Sequence, residues 1–101
     1  MKSLHIAKLD LINTSSNTKA EAYYDKQNKV CKLSEEGGRN FTLLMRHKER
    51  NIFGKRHMQC IDEATGQTKM IQYSLKKDYF ALDLMNGRGL VYRILNIRNL
   101  S

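Results

Sequence analysis

Apolar and polar residues alternate along most of this chain, whereas helical spacing of the apolar residues is rare. Alternation over four to eight residues, bounded by clusters of Gly, Asn, Asp and Ser, is typical of half-buried β-strands. The pattern predicts strands within residues 4–12, 21–32, 41–48, 56–62, 68–75, 78–85 and 90–97. The strongest turn signal between them is Asn86-Gly87-Arg88-Gly89, because Asn and Gly adopt positive φ at little cost.

One early segment predicts a hairpin with a defined register. Residues 21–32 alternate around the polar sequence Lys26-Gln27-Asn28-Lys29. A four-residue loop at this point would place Tyr24 opposite Cys31 and Ala22 opposite Leu33. All four side chains would then share the face that packs in the core.

The spacing of these elements predicts an all-β fold. Seven to eight short strands joined by near-neighbour turns leave no room for helical crossovers in 101 residues. We therefore expect a single β-rich domain over residues 1–101, an antiparallel meander that closes into a small barrel or sandwich. A β-rich α+β fold is the alternative, with one short helix at residues 63–73 or 75–84. No internal repeat is expected from the residues.

Charge changes the picture because it is large and unevenly distributed. The formal net charge is +8, with a pI of about 9.7, and residues 39–57 alone carry +5. These residues fall within a predicted basic hairpin at about residues 40–62. With Met45 opposite Cys60 and His47 opposite Met58, the apolar side chains face inward. Arg50 then lies opposite Lys55, and the cations face outward.

Opposed like charges destabilise a β-ladder, so we expect this accumulation of cations to serve binding. A cationic hairpin can neutralise phosphates of DNA or RNA, and an aromatic side chain can stack on bases. The sequence thus predicts a phosphate-directed nucleic-acid-binding module of low sequence specificity. The expected binding residues are Arg46, Lys48, Arg50, Phe53, Lys55, Arg56 and His57.

Three other interpretations fit part of this pattern. The same cations with Ile52 and Phe53 could cover an acidic surface of a protein partner, as an inhibitor or adaptor. They could instead be a solvated face, with the two apolar residues folded back onto the barrel. A nuclease acting through His57 and Arg46 is the weakest of the three, since the register places His47 and His57 on opposite faces.

The remaining features exclude several classes of function. No phosphate-loop, dinucleotide-binding or metal-protease motif occurs, so we expect no cofactor, no metal site and no enzyme. No apolar run approaches 18 residues, and no signal peptide is recognisable, so a cytoplasmic location without membrane association is expected. Cys31 and Cys60 are then expected to be reduced, buried small apolar residues. The oligomeric state is left open.

Overall fold

A computed structural model describes residues 3–100 as an all-β domain of nine antiparallel strands. The predicted fold class is confirmed. The strands are β1 (Ile6–Asn13), β2 (Lys19–Asp25), β3 (Val30–Glu35), β4 (Arg39–Met45), β5 (Arg50–Ile52), β6 (Lys55–Asp62), β7 (Thr68–Ser74), β8 (Tyr79–Asp83) and β9 (Gly89–Asn99). The alternative with a helix at residues 63–73 or 75–84 is wrong, because strands and turns occupy both segments.

Eight of the nine strands form a closed barrel. Hydrogen bonding runs in the order β4-β3-β2-β1-β9-β8-β7-β6, and pairing of β4 with β6 closes the circle. The remaining strand, β5, lies outside the closed barrel. It pairs with the first residues of β6, beyond the point where β4 ends. Among residues 3–100 there is no helix of the length and apolarity needed to cross a membrane.

Period-2 alternation places one face of every barrel strand in a single core. The predicted register of the first hairpin is confirmed, with Ala22 opposite Leu33 and Tyr24 opposite Cys31. All four are buried in the core cluster. Cys31 and Cys60 are buried free thiols, as expected. Burial raises the pKa of Cys60 to about 12, which leaves this thiol protonated and unreactive at neutral pH.

The two halves of the barrel repeat each other with an offset of 49 residues. Strands β1 and β2 become β6 and β7 at this offset, and β3 and β4 correspond to β8 and the first part of β9. The registers correspond as well, since Ala7 opposite Tyr24 becomes Arg56 opposite Tyr73. The closing pair Met45 and Cys60 likewise becomes Ile94 and Leu11. The expectation of no internal repeat is therefore wrong.

This repeat places Tyr24 and Tyr73 at equivalent positions at one end of the barrel. Their rings meet edge to face, with centroids 5.5 Å apart, and both side chains are buried. We call this end the tyrosine end. The turns between β2 and β3 and between β7 and β8 lie at the same end, as do the beginnings of β1 and β6.

Candidate functional site

The connection between the two halves crosses the tyrosine end. Strand β4 ends at Met45, which lies opposite Cys60 as predicted, and the Arg46 amide still donates to the Gln59 carbonyl at 3.0 Å. Pairing resumes only at Arg50, opposite His57. Four residues thus face two across the ladder, and residues 46–49 leave it as a loop. The predicted pairs beyond Arg46 are wrong for this reason.

A two-residue turn forms the tip of the β5–β6 hairpin. Ile52 lies opposite Lys55, and Phe53 and Gly54 between them have φ values of 52° and 80°. Positive φ at both positions is the type I′ geometry, which favours Asn followed by Gly. The Phe53 side chain is 97% exposed and Ile52 is 40% exposed. Folding of both residues back onto the barrel is thereby contradicted.

The predicted cations divide into an exposed set and a partly buried set. Arg46, Lys48 and Arg50 are exposed along the loop and the start of β5. Lys55 is half-buried, with its Nζ 4.2 Å from the centroid of the Tyr79 ring, a cation–π contact on the outer face. The predicted pairing of Arg50 with Lys55 is wrong, because Ile52 takes that position. Arg46 and Lys48 line one cavity, and Lys48 and Arg50 line a second cavity with His57, so these three cations are neighbours.

The two histidines lie on the same side of the hairpin. His47 is exposed, which corrects the prediction that it faces the core. It lines a small outer cavity of about 140 Å³ together with His57 and Arg50. The His57 Nδ1 lies 3.2 Å from the Lys55 carbonyl oxygen. The placement of the histidines on opposite faces, which weakened the nuclease interpretation, is therefore wrong.

A buried carboxylate closes the tyrosine end. The loop of residues 46–49 turns the Glu49 side chain into the barrel, where it is 6% exposed. Its Oε2 accepts hydrogen bonds from the Tyr24 hydroxyl at 2.7 Å and the Tyr73 hydroxyl at 2.8 Å. Burial, and the bond to Glu49, raise the pKa of both tyrosines, so both hydroxyls remain donors. The Tyr73 oxygen also accepts from the Leu4 amide at 3.0 Å.

The other oxygen of this carboxylate faces cations. Glu49 Oε1 lies 3.4 Å from Lys26 Nζ and 3.7 Å from Arg56 Nη1. Arg56 therefore departs from the other predicted binding residues, since its side chain turns toward the barrel end rather than along the outer face. Sequence reasoning missed Lys26 and Glu49 as parts of this site. A lysine in a turn and an acid in a basic run look like ordinary solvated residues.

A cationic cavity of about 480 Å³ opens at this end. We call it the end cavity. Its charged lining comes from two places in the chain: Lys26 and Lys29 from the β2–β3 turn, and Arg46, Lys48, Glu49 and Arg56 from the connection and β6. A larger concavity of about 690 Å³ borders Asp10, Glu21, Glu35 and Glu36, with Lys19 as its one cation. The linings of the two concavities thus differ in the sign of their charge, and an anion is attracted to the end cavity.

The described residues form no metal-binding cluster, and the comparisons found no relative. Within residues 3–100, no three His, Cys, Asp or Glu side chains come together as metal ligands. Comparison with known protein families, with curated proteins and with solved structures found no match for the chain.

Proposed function

We propose that this protein binds nucleic acid, through phosphates and with little sequence specificity, at the surface formed by residues 46–57. The observation that carries the proposal is the fully exposed Phe53 at the hairpin tip, beside exposed Arg46, Lys48 and Arg50. Cations that follow a strand backbone, with an aromatic ring free to stack on a base, are the combination that single-stranded nucleic acids need.

The position of Phe53 supports this proposal because the fold itself gains little from this residue. Its side chain is 97% exposed, so it buries no apolar area in the core. Its φ of 52° is unfavourable for a bulky residue with a Cβ. A residue that costs free energy in a turn and contributes nothing to packing fits a role in binding.

The ion pairs of the chain also support it. In the part of the chain described, residues 3–100, Arg46, Lys48 and Arg50 form no salt bridge. Their charges are therefore not neutralised within the protein and are available to phosphates. Release of the counterions condensed on nucleic acid then supplies binding free energy, which falls as salt rises.

The first test is fluorescence anisotropy with labelled single- and double-stranded DNA and RNA, titrated from low to physiological salt. Contacts to about four or five phosphates predict a slope of log K against log salt of about −3 to −4.5. The variant Arg46→Ala/Arg50→Ala should reduce the magnitude of this slope by roughly 1.5, since two phosphate contacts are lost. It should change the free energy of unfolding by less than about 0.5 kcal/mol, as expected at exposed sites.

Lys19→Ala/Arg88→Ala is the matched control. Both residues are exposed at the end of the barrel opposite the tyrosine end, and the pair removes the same charge. An equal loss of slope in the control would mean that net charge, not this surface, attracts the nucleic acid. Absence of binding to all four probes at low salt would contradict the proposal and favour a protein partner with an acidic surface. Shortening of the labelled strand would instead show a nuclease.

Phe53→Asn separates binding from stability. Asn tolerates positive φ and Asn-Gly is the preferred type I′ pair, so the free energy of unfolding should rise by up to about 1 kcal/mol. Loss of one stacked base should weaken single-strand binding by roughly 5- to 150-fold, which corresponds to about 1–3 kcal/mol. Urea unfolding and the anisotropy titration measure the two effects. Unchanged affinity in this variant would remove Phe53 from the binding site.

We further infer a cytoplasmic location. The two cysteines are buried as free thiols, and reduced thiols are usual in that compartment. Neither a cofactor nor a catalytic step is part of this proposal.

A further inference from the structure

We propose that the end cavity binds a phosphate monoester, either the terminal phosphate of a nucleic-acid strand or the phosphate of a free mononucleotide. The inference rests on the proposed function where the ligand is a strand end. It assigns a different ligand group to an adjoining place, which shares Arg46, Lys48 and Arg56 with the surface of residues 46–57. The exposed surface of residues 46–57 would hold the diester backbone. The end cavity beside it would hold the doubly charged end.

The size and charge of the end cavity fit this ligand. Its volume is about 480 Å³, within the range of small-molecule sites, which is roughly 300–1,000 Å³. Five cationic side chains line it against one carboxylate, Glu49. That carboxylate is occupied by two tyrosine hydroxyls and two cations, so its charge is directed into the barrel end.

The Glu49 contacts position part of the lining before any ligand arrives. Lys26 Nζ lies 3.4 Å from Glu49 Oε1 and 3.4 Å from the Ser3 hydroxyl oxygen. The Arg56 guanidinium lies 3.7 Å from the same carboxylate oxygen. Side chains already held in place lose less conformational entropy on binding, which favours affinity. Lys29 and Arg46 in contrast form no salt bridge among residues 3–100 and are free to reach the anion.

Comparison of the two halves shows that the same strand and turn geometry also occurs without some of these cations. Strands β1–β3 and β6–β8 pair in the same registers, so the end-cavity residues in these strands and their turns have counterparts 49 positions away. Three cations can be compared in this way, Lys26, Lys29 and Arg56, and their counterparts in that order are Leu75, Asp78 and Ala7. The apolar lining is by contrast retained, with Ile94 for Met45 and Leu9 for Met58.

At the positions compared, the positive charge therefore occurs in one half only. A charge needed for folding would be expected in both halves, whereas a charge that serves a ligand needs to occur only once. The Lys29 backbone makes the same point, because its φ of 58° is matched by 51° at Asp78. The same positive-φ position of this turn thus holds a cation in one half and an anion in the other.

The test compares oligonucleotides of one sequence that end in a 5′-phosphate, a 3′-phosphate or hydroxyls only, with a mononucleotide as competitor. At physiological salt, one of the phosphorylated ends should bind about tenfold more tightly than the hydroxyl-ended strand, as expected for one or two charge-assisted hydrogen bonds. Lys29→Asn should abolish this advantage and leave the affinity for the hydroxyl-ended strand unchanged. Asn is chosen because it tolerates the positive φ at this position.

Lys77→Asn is the matched control, since Lys77 lies in the equivalent turn of the second half, is exposed and does not line the end cavity. It should retain the tenfold advantage. The mononucleotide could also inhibit binding of the labelled strand. If Lys29→Asn reduces this inhibition, the result would support the site and identify a free nucleotide as its ligand. Equal affinity for all three strand ends, without competition by the mononucleotide, would overturn the inference. The proposed function would still stand in that case, because the hydroxyl-ended strand tests it independently.

Discussion

Glu49→Ala is expected to lower the free energy of unfolding by about 3–5 kcal/mol, the usual cost of removing one partner from a buried ion pair. Two buried tyrosine hydroxyls, at 2.7 and 2.8 Å from Glu49 Oε2, would lose their acceptor. Lys26 and Arg56 would keep their charges at the barrel end without the carboxylate that balances them. Urea unfolding measures the loss, and the thermal midpoint should fall by more than about 10 °C.

Two further variants isolate the cause of this loss. Glu49→Gln keeps an oxygen for the tyrosine hydroxyls and removes only the charge, so it should cost clearly less than Glu49→Ala. Glu63→Ala removes an exposed carboxylate with the same change in net charge and should stay within about 0.5 kcal/mol. A loss below about 1 kcal/mol in Glu49→Ala would show that the cluster does not hold the tyrosine end together.

The second large effect is expected at the opposite end, where a salt bridge is buried. Lys69 Nζ lies 3.3 Å from Asp62 Oδ2, and each side chain is only 6% exposed. Asp62→Asn leaves the ammonium group buried without its counter-charge and should cost about 3–5 kcal/mol. The turn after β6 should be retained in this variant, so it does not contribute to the loss of stability. The Asn side-chain oxygen can still accept from the Ala64 amide, as Asn13 accepts from the Ser15 amide in the first half.

Asp62→Asn/Lys69→Met should be more stable than Asp62→Asn alone and lie within about 1 kcal/mol of the original chain. The first half of the barrel supports this expectation, since Asn13 and Ala20 occupy the equivalent positions without any charge. Met keeps most of the volume of the lysine side chain, so the core is not left with a void. A double-mutant cycle by urea unfolding measures the coupling free energy between Asp62 and Lys69. If the losses of the two single variants simply add in the double variant, this coupling is disproved.

Local patterns predicted the fold well because most pairings join neighbouring strands. The alternation of small and large apolar residues around a polar turn was sufficient for the register of Tyr24 with Cys31. The same reasoning placed Met45 opposite Cys60 across a longer connection. Each of these depends on period-2 side-chain direction and on a turn a few residues away, both of which can be read from residues close in the chain.

The site was less predictable because it depends on contacts between distant residues. No feature of the neighbouring sequence distinguishes Glu49 from a solvated acid. Its burial depends on Tyr24 and Tyr73, whose hydroxyls both donate to its carboxylate. The loop of residues 46–49 also changes the register between β4 and β5 relative to β6. His47 therefore lies outside the core, contrary to the prediction. The repeat is not recognisable from the residues alone because its halves share few of them. Few pairs of residues at this offset are identical, and Leu33 and Leu82 are one example. The registers of the two hairpins that contain them are nevertheless the same.

The seam between β1 and β9 has a kinetic consequence. Seven of the strand pairings in the described chain form between elements that follow one another closely, but Ala7 must find Asn99 from the far end of the sequence. The entropy of closing so long a loop is recovered only when the whole circle is complete. We therefore expect hairpin formation to be fast and local, and the joining of β1 to β9 to limit the folding rate. Once formed, the seam joins β1 to β9, and beside it the Leu100 amide donates to the Ile6 carbonyl at 2.9 Å.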